Sequence, residues 1–446
     1  MTKPSQPACI AIRREDKNRW ERRSPLIPEQ VGQLIGEGLS FVVQHSDIRT
    51  FSDDEYREVG AEIREDTSDC PLVLGVKEAP GPVFEPGRAY AFFAHVAKGQ
   101  PHNMPMLKRM MELGCSLIDY EKITDDAGRR LVFFGRFAGI AGVVDMLSGL
   151  GQRLAVLGFD TPLSHVRLAH EYGRVALAKA AVAEVGRDVV EAGLPPELTP
   201  LVIGVTGYGH VAKGAWEMLE ALGATEVEPV DLPALMADGD RRSVYRVMFR
   251  EEHTVEPVEF GHRFDLKEYF AHPELYRARF EDHLPHLTAL ANCIYWEPRY
   301  PRLVTKRWLK QAFAGDRPPR LRVIGDISCD INGSIEATVK ATEPGAPFYV
   351  YEPETDTARD GVQGPGLLMM AVDNLPCELP FDSSREFGTA LLPLIPALAQ
   401  ADFNASLDRL TMPGPLRRAL ILYRGRLTPE YAYIEQFLGP KRSSER

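Results

Sequence analysis

From residue 9 onward, short apolar runs alternate with amphipathic stretches. ACIAIRRE is followed by PEQVGQLIGEG, which carries proline at a helix start and glycine at its end. SFVVQHS then leads to DDEYREVG, LVLGVKEAP follows, AYAFFAHVAKG precedes NMPMLKRMMELG, and CSLIDYEKI closes the series. Runs apolar on every residue are strands covered on both faces, so the alternation predicts an α/β domain with a largely parallel sheet. In such sheets the functional crevice lies beyond the carboxyl ends of the strands. Several runs end there in ionisable side chains: Lys77 and Glu78 after VLGV, His95 after AYAFFA, and Glu121 after CSLIDY. A lysine and a glutamate at one strand end are usually solvated, but neighbouring ends of this kind are expected to converge.

The pattern changes near residue 133. FFGRFAGIAGVVDMLSGLGQRLAVLG is small, apolar and glycine-rich, which suits a helix packed closely on a neighbour. Arg136, Asp145 and Arg153 interrupt it, so it lacks the roughly 18 apolar residues of a membrane span. With RLAHEYGRVALAKAAVAEVGRDVVEAG it is expected to join two domains.

After the loop PPELTP comes LVIGVTGYGHVAKGAWEMLEALGATEVEPV, which reads strand, glycine turn, helix, strand. Gly207, Gly209, Ala212 and Gly214 give the spacing G-x-G-x-x-A-x-G, similar to a dinucleotide fingerprint. Such a turn brings bare backbone and a helix N-terminus against a pyrophosphate, which assigns Gly207, Tyr208, Gly209, His210 and Val211 to cofactor binding. The acidic residue expected about 20 positions further on is Glu228, with Asp231 as competitor. A carboxylate there favours NAD, yet Arg241 and Arg242 follow and would neutralise the extra phosphate of NADP, so the pattern leaves the cofactor open.

In the last third, LRVIGDISCDINGSIEAT reads as a final dinucleotide-domain strand and turn. The expected organisation is therefore a dinucleotide-binding domain over 136–335, with leading helices, set into a discontinuous substrate domain over 1–135 and 336–446. The fold class is α/β: two Rossmann-like domains with parallel sheets and an active-site cleft between them.

Composition narrows the partners. A net charge of −11 argues against nucleic acid and anionic membrane. No signal-peptide core is visible, and a cytoplasmic location is expected. The six cysteines form no C-x-x-C pair and do not cluster with histidine; they are expected to be reduced and structural, with no metal site.

WERRSPLIPEQV, LGVKEAP, AFFAHVAKGQ, LIDYEKI, FGRFAGIAG, TGYGHVAKGA, NCIYWEPRYPRLVT, DISCDINGSIE and VDNLPCELP occur in one order. In that order the chain resembles the lysine-ketoglutarate reductase domain of animal and plant aminoadipic semialdehyde synthase. More distantly it is similar to fungal lysine-forming saccharopine dehydrogenase, alanine dehydrogenase and transhydrogenase. The resemblance implies that lysine and 2-oxoglutarate condense to an imine which NADPH, or alternatively NADH, reduces to saccharopine. It also implies an acid-base pair of Lys77 and His95, a substrate carboxylate on Arg23, acidic neighbours Glu78 and Glu121, and Asp330 near the nicotinamide. Relatives tend to have a second glycine where this chain has Asn332. A separate saccharopine-oxidising enzyme would be required, and the oligomeric state, including a homo-oligomer, stays open. The competing readings are a related amino-acid or opine dehydrogenase and a catalytically inactive NAD(P)-sensing protein.

Overall fold

The computed structural model describes residues 9–315 and 318–439. The chain forms two units, one made of the residues up to Phe134 together with those from Pro380, the other of Gly135–Leu379.

In the first unit, β1 (Cys9–Ile12), β2 (Ser40–Gln44), β3 (Glu62–Arg64), β4 (Leu72–Lys77), β5 (Ala89–Phe93) and β6 (Ser116–Asp119) are parallel, in the order β6-β5-β4-β1-β2-β3. Two antiparallel strands from the carboxy-terminal return, Leu420–Tyr423 and Arg426–Leu427, extend the sheet beyond β6. β5 is buried at every residue and β4 at all but Lys77, as expected of strands covered on both faces. The connecting helices carry their start signals. α1 (Pro28–Gly36) has proline in its first turn, and Gln30 Oε1 accepts from the Ile27 amide at 3.0 Å. α2 (Asp53–Glu58) is capped by Ser52, whose hydroxyl accepts from the Glu55 amide. α3 (Met104–Glu112) lies between β5 and β6 in the chain. The strand order reverses at β1, because β2 and β3 lie on one side of it and β4 to β6 on the other. A topological switch point therefore falls between β1 and β4, where open α/β sheets bind ligands.

The second unit begins with α4 (Gly135–Val156), α5 (Ala169–Tyr172) and α6 (Val175–Ala192), followed by β7 (Leu201–Thr206), α7 (His210–Ala221), β8 (Thr225–Val227) and β9 (Val244–Phe249). A detached antiparallel pair, β10 (Val255–Pro257) and β11 (Tyr276–Ala278), precedes β12 (Ala289–Asn292) and β13 (Val323–Asp326). Then come β14 (Phe348–Glu352), β15 (Thr357–Asp360) and β16 (Leu367–Met370), and the sheet order is β15-β14-β16-β13-β12-β7-β9-β8. All its pairings are parallel except those of β14.

The structure differs from the sequence reading in four respects. Residues 336–379 remain in the second unit, and the return falls at Pro380. Leu367–Met370 is a buried strand parallel to β13, a run too short for periodicity to distinguish from other buried apolar segments. The helices from Gly135 are core elements of the second unit and not a link. A Cβ on Gly139 would lie 1.9 Å from the Val211 carbonyl oxygen, and one on Gly214 would lie 2.0 Å from that of Arg136. The glycines thus let α4 and α7 meet backbone to backbone. Finally, Cys9 and Cys70 are joined in a disulfide, with Cα atoms 4.8 Å apart. Their separation of 61 residues hid that β1 and β4 are sheet neighbours. Among the described residues the only grouping of metal-ligand type is these two cysteines with Asp69, and the disulfide occupies both sulfurs. Also among the described residues, no helix is long and apolar enough to cross a membrane.

One buried polar cluster lies within the second unit's core. Asp145 on α4 and Glu378 are fully buried, and Asp145 Oδ2 and Glu378 Oε1 have no hydrogen-bond partner among the described residues. Asp145 Oδ1 accepts from the Ala169 amide at 2.8 Å, and Glu378 Oε2 from that of His170 at 3.2 Å. Burial, reinforced by the charge of Glu378, pushes Asp145 well up, and burial pushes Glu378 up to about 7. A free glutamate titrates near about 4.3, so the folded state binds the extra proton. The stability this contributes is fully present below the unfolded value and is lost as pH rises through about 7. Thermal unfolding should therefore show wild-type protein weakening across that range, with Glu378→Gln flatter; parallel curves for the two proteins would refute the assignment.

Candidate active site

LVLGVKEAP ends in an irregularity. Leu74 pairs with Ala91 but Lys77 with Phe93, so β4 advances three residues while β5 advances two. The extra residue makes a bulge, which re-aims the strand end and frees amides from the ladder. Glu15, just past β1, takes them up: Oε1 accepts from Val76 N at 2.8 Å and Oε2 from Lys77 N at 3.0 Å. Gly75 makes room for this arrangement, since a Cβ there would meet Arg13 Cδ at 3.0 Å and Glu15 Oε1 at 3.3 Å. Burial raises the Glu15 pKa, with Arg13 opposing it and Glu21 adding to it. Lys77 is thus held by its backbone at the switch point, its side chain only partly buried.

Burial lowers the Lys77 pKa, and the positive charges of Arg23 and Lys17 lower it further against Glu78 and Glu21. Glu78 Oε1 accepts from Lys17 Nζ at 2.7 Å, while Oε2 is buried with no hydrogen-bond partner. Burial alone would raise Glu78, but the Lys17 hydrogen bond and the charges of Lys17 and Lys77 outweigh it and leave it lowered.

At the next strand end stands His95, with φ at +50°. Non-glycine residues seldom occupy this region, and such strain persists where neighbours over-determine it. Asn103 Nδ2 donates to the Ala94 and His95 carbonyls at 3.1 and 3.4 Å, and the Asp119 carboxylate accepts from the Ala94 amide at 3.3 Å. The imidazole stacks on Phe93 and places Nδ1 3.4 Å from Glu121 Oε2. Glu121 also pairs with Arg130. The His95 hydrogen bond and the Arg130 charge hold Glu121 down to about 2 despite its burial. Burial raises Asp119, although the amides of Glu121 and Ala94 oppose it.

The structure therefore brings Lys77, Glu78, His95 and Glu121 to adjacent carboxyl ends of β4, β5 and β6. Arg23, expected to bind a substrate carboxylate, meets a carboxylate of the chain itself. Its fork is closed on Glu21 in two bonds of 2.7 and 2.6 Å, both side chains are buried, and its guanidinium lies 4.2 Å from the centre of the Phe134 ring. What it supplies here is a buried positive charge beside Lys77. Glu15 escaped the sequence reading because it looked like part of a charge run; an ionisable residue past the end of β1 was the available signal.

In the second unit Gly207 has φ of +85°, and its amide donates to the Phe249 carbonyl at 2.8 Å. A Cβ on Gly209 would meet nothing within 4 Å, so the head of α7 is bare. His210 and Val211 form its first turn, where amides precede the first helical hydrogen bond and favour an anion. Open backbone at a strand-turn-helix junction fits a dinucleotide pyrophosphate.

Behind the turn, Thr206 Oγ1 donates to Asn292 Oδ1 at 2.8 Å, and Asn292 Nδ2 donates to Asp326 Oδ1 at 2.8 Å and to Ser334 Oγ at 2.9 Å. Ser328 and Thr338 hydroxyls also donate to Asp326. This network ties the ends of β7, β12 and β13 and holds the 328–333 turn, which carries Asp330. Asn332 there has φ of +52°, a conformation asparagine tolerates better than most residues.

Glu228 and Asp231 follow β8, and β9 separates β8 from the fingerprint strand β7. Arg241 and Arg242 precede β9 and lie at its amino end, where Arg242 donates to the Val190 carbonyl. The residues that follow β9 beside Gly207 are Arg250 and Glu251. A fixed count of about 20 residues assumes that the next strand in sequence is the next strand in space, which fails here.

Two mostly parallel sheets, one with a glycine turn of dinucleotide type and one with a lysine and a histidine at adjacent strand ends, are the α/β arrangement of the alanine dehydrogenase fold. Residues 11–141 match the family model described as alanine dehydrogenase/PNT, N-terminal domain. An L-alanine dehydrogenase structure superposes over 96% of this chain and 99% of its own with a TM-score of 0.59 at 20% identity, a likeness of fold. The alpha-aminoadipic semialdehyde synthase of Arabidopsis thaliana is 40% identical over 95% of this chain, which spans 41% of that relative's length. The saccharopine dehydrogenase [NAD(+), L-lysine-forming] of Emericella nidulans is 30% identical over 86% of this chain and 90% of its own. The chain belongs to the L-lysine-forming saccharopine dehydrogenase family.

Replacing Glu15 by alanine orphans two buried amides, which should cost roughly 1–3 kcal/mol for each. Glu15→Gln keeps one acceptor oxygen and should lose about half as much. Denaturant unfolding reads both, and an unchanged midpoint for Glu15→Ala would show that the clamp is not what holds the bulge.

Proposed function

We propose that this chain condenses the ε-amine of L-lysine with the ketone of 2-oxoglutarate and reduces the resulting imine to saccharopine. The observation that carries this reading is the adjacency of a backbone-clamped Lys77 of lowered pKa and a strained, carboxylate-paired His95 at neighbouring strand ends. Condensation requires loss of a proton from the substrate ammonium and protonation of the carbinolamine oxygen so that water can leave. With its pKa lowered, more of Lys77 is in the neutral form at a given pH than of an ordinary lysine, and the neutral amine is the form that can accept the first proton. Paired with Glu121, His95 is oriented to deliver a proton to the leaving hydroxyl. Glu78 Oε2, buried and without a partner, offers the substrate ammonium an acceptor. Arg23 acts through its charge on Lys77. The turn after β7 and the amides at the head of α7 would hold a nicotinamide dinucleotide, which when bound would supply the hydride for the imine carbon.

Loss of NADPH absorbance with 2-oxoglutarate and a panel of amines tests the substrate. Turnover with lysine is expected; turnover with a different amine alone would move the chain to a related opine dehydrogenase activity. Lys77→Met and His95→Gln should each lower kcat by roughly 10²- to 10⁴-fold, the range for a lost acid-base group, with NADPH affinity nearly unchanged. Matching losses of turnover and of affinity would remove both residues from the chemistry.

A further inference from the structure

β7, β12, β13 and β16 run parallel, so their amino ends lie at the end of the second sheet opposite the fingerprint turn. Three arginines gather there. Arg153, in the last turn of α4, is only 3% exposed. It donates from Nη1 to the Val362 carbonyl at 2.7 Å and from Nη2 to that of Gly366 at 2.9 Å, which fixes the glycine-rich loop ahead of β16. Arg322 stands immediately before β13; its carbonyl accepts from Leu368 N at 3.1 Å, two residues on from the Gly366 that Arg153 holds. Arg320 donates to the Leu198 and Pro200 carbonyls ahead of β7. Both Arg320 and Arg322 are half-buried. The Nε of each of the three is buried and has no hydrogen-bond partner among the described residues. No carboxylate among those residues pairs with any of them: burial pulls each guanidinium below its ordinary value, and the charges of Arg153 and Arg320 pull Arg322 lower still. Taking a charge out of water is costly unless a counter-charge meets it. Three such charges held close together without one call for an anion from outside the protein.

We infer that the amino end of this sheet is an oxyanion site, in which Arg153, Arg320 and Arg322 bind a phosphate or diphosphate group. Arg153 and Arg320 spend part of their forks on carbonyls and keep Nε for a ligand, whereas Arg322 offers its whole fork. Planar guanidinium forks match the oxygens of such a group. Neutralising three of them takes two or three negative charges in one compact ligand, which phosphate and diphosphate carry and a single carboxylate does not. The fingerprint turn follows the opposite end of β7, so the anion binds here without displacing a dinucleotide. The site is independent of the reaction proposed above.

The test is calorimetric titration of the full chain with inorganic phosphate, inorganic pyrophosphate and acetate at fixed ionic strength, in wild type, Arg322→Gln and Arg322→Lys. Wild type should bind pyrophosphate and phosphate more tightly than acetate. Arg322→Gln should weaken pyrophosphate binding roughly 10- to 100-fold, the scale of a lost charge-assisted contact. Arg322→Lys keeps the charge without the fork and should lose less. Thermal unfolding gives a second measurement: pyrophosphate should raise the wild-type midpoint and leave that of Arg322→Gln nearly unmoved. Pyrophosphate binding that Arg322→Gln does not weaken would place the anion at the fingerprint turn and overturn the assignment. Acetate bound as tightly as pyrophosphate would overturn it too, as would a rise in midpoint that sodium chloride reproduces at matched ionic strength, since that is screening alone.

Discussion

The first unit's site depends on one carboxylate. Glu15 holds the amides of Val76 and Lys77, which the bulge in β4 has taken out of the sheet ladder. Buried amides without acceptors are costly, so a strand that ends in a bulge requires such a partner. Meeting that requirement with a charged group brings a second cost, the desolvation of Glu15, which Arg13 at 3.4 Å partly offsets. Glu21 and Arg23 continue the set of buried charges. Lys77 stands at its edge and feels their sum, so the same charges that steady the bulge also weaken that lysine's hold on its proton.

His95 shows the same logic by another route. Its left-handed backbone is kept in place by Asn103 on the carbonyl side and by Asp119 on the amide before it, while Glu121 takes the ring. Backbone strain of this kind persists only where the surroundings leave no alternative. The two candidate acid-base groups are thus both positioned through main-chain contacts, and the His95 ring through Glu121 as well.

In the second unit the governing constraint is steric. Gly139 and Gly214 bring α4 and α7 into backbone contact, so the helix that presents the fingerprint amides is seated on a second helix as well as on the sheet. The polar chain from Thr206 through Asn292 to Asp326 then fixes the strand ends behind the turn. Each buried member has a partner, the condition under which a buried polar network adds definition to a structure.

Periodicity alone determined much of this protein. The α/β class, five of the first six strands, the fingerprint turn, and the placing of Lys77, Glu78, His95 and Glu121 at strand ends all follow from local apolar runs and the residues that interrupt them, because strands covered on both faces leave a continuous signal, whereas the short, partly exposed β3 has none. The short strand Leu367–Met370 was not legible, since so brief an apolar run has no period of its own. Tertiary structure decided whatever depends on which strand lies beside which. Cys9 meets Cys70 because β1 pairs with β4, and Glu15 reaches Lys77 for the same reason. Arg250, and not Glu228, stands beside Gly207 because β9 inserts between β8 and β7. Arg23 turned inward to Glu21 although nothing in its run of arginines sets it apart. These are contacts between segments distant along the chain, and hydrogen bonds across a sheet, absent from any local pattern, select them.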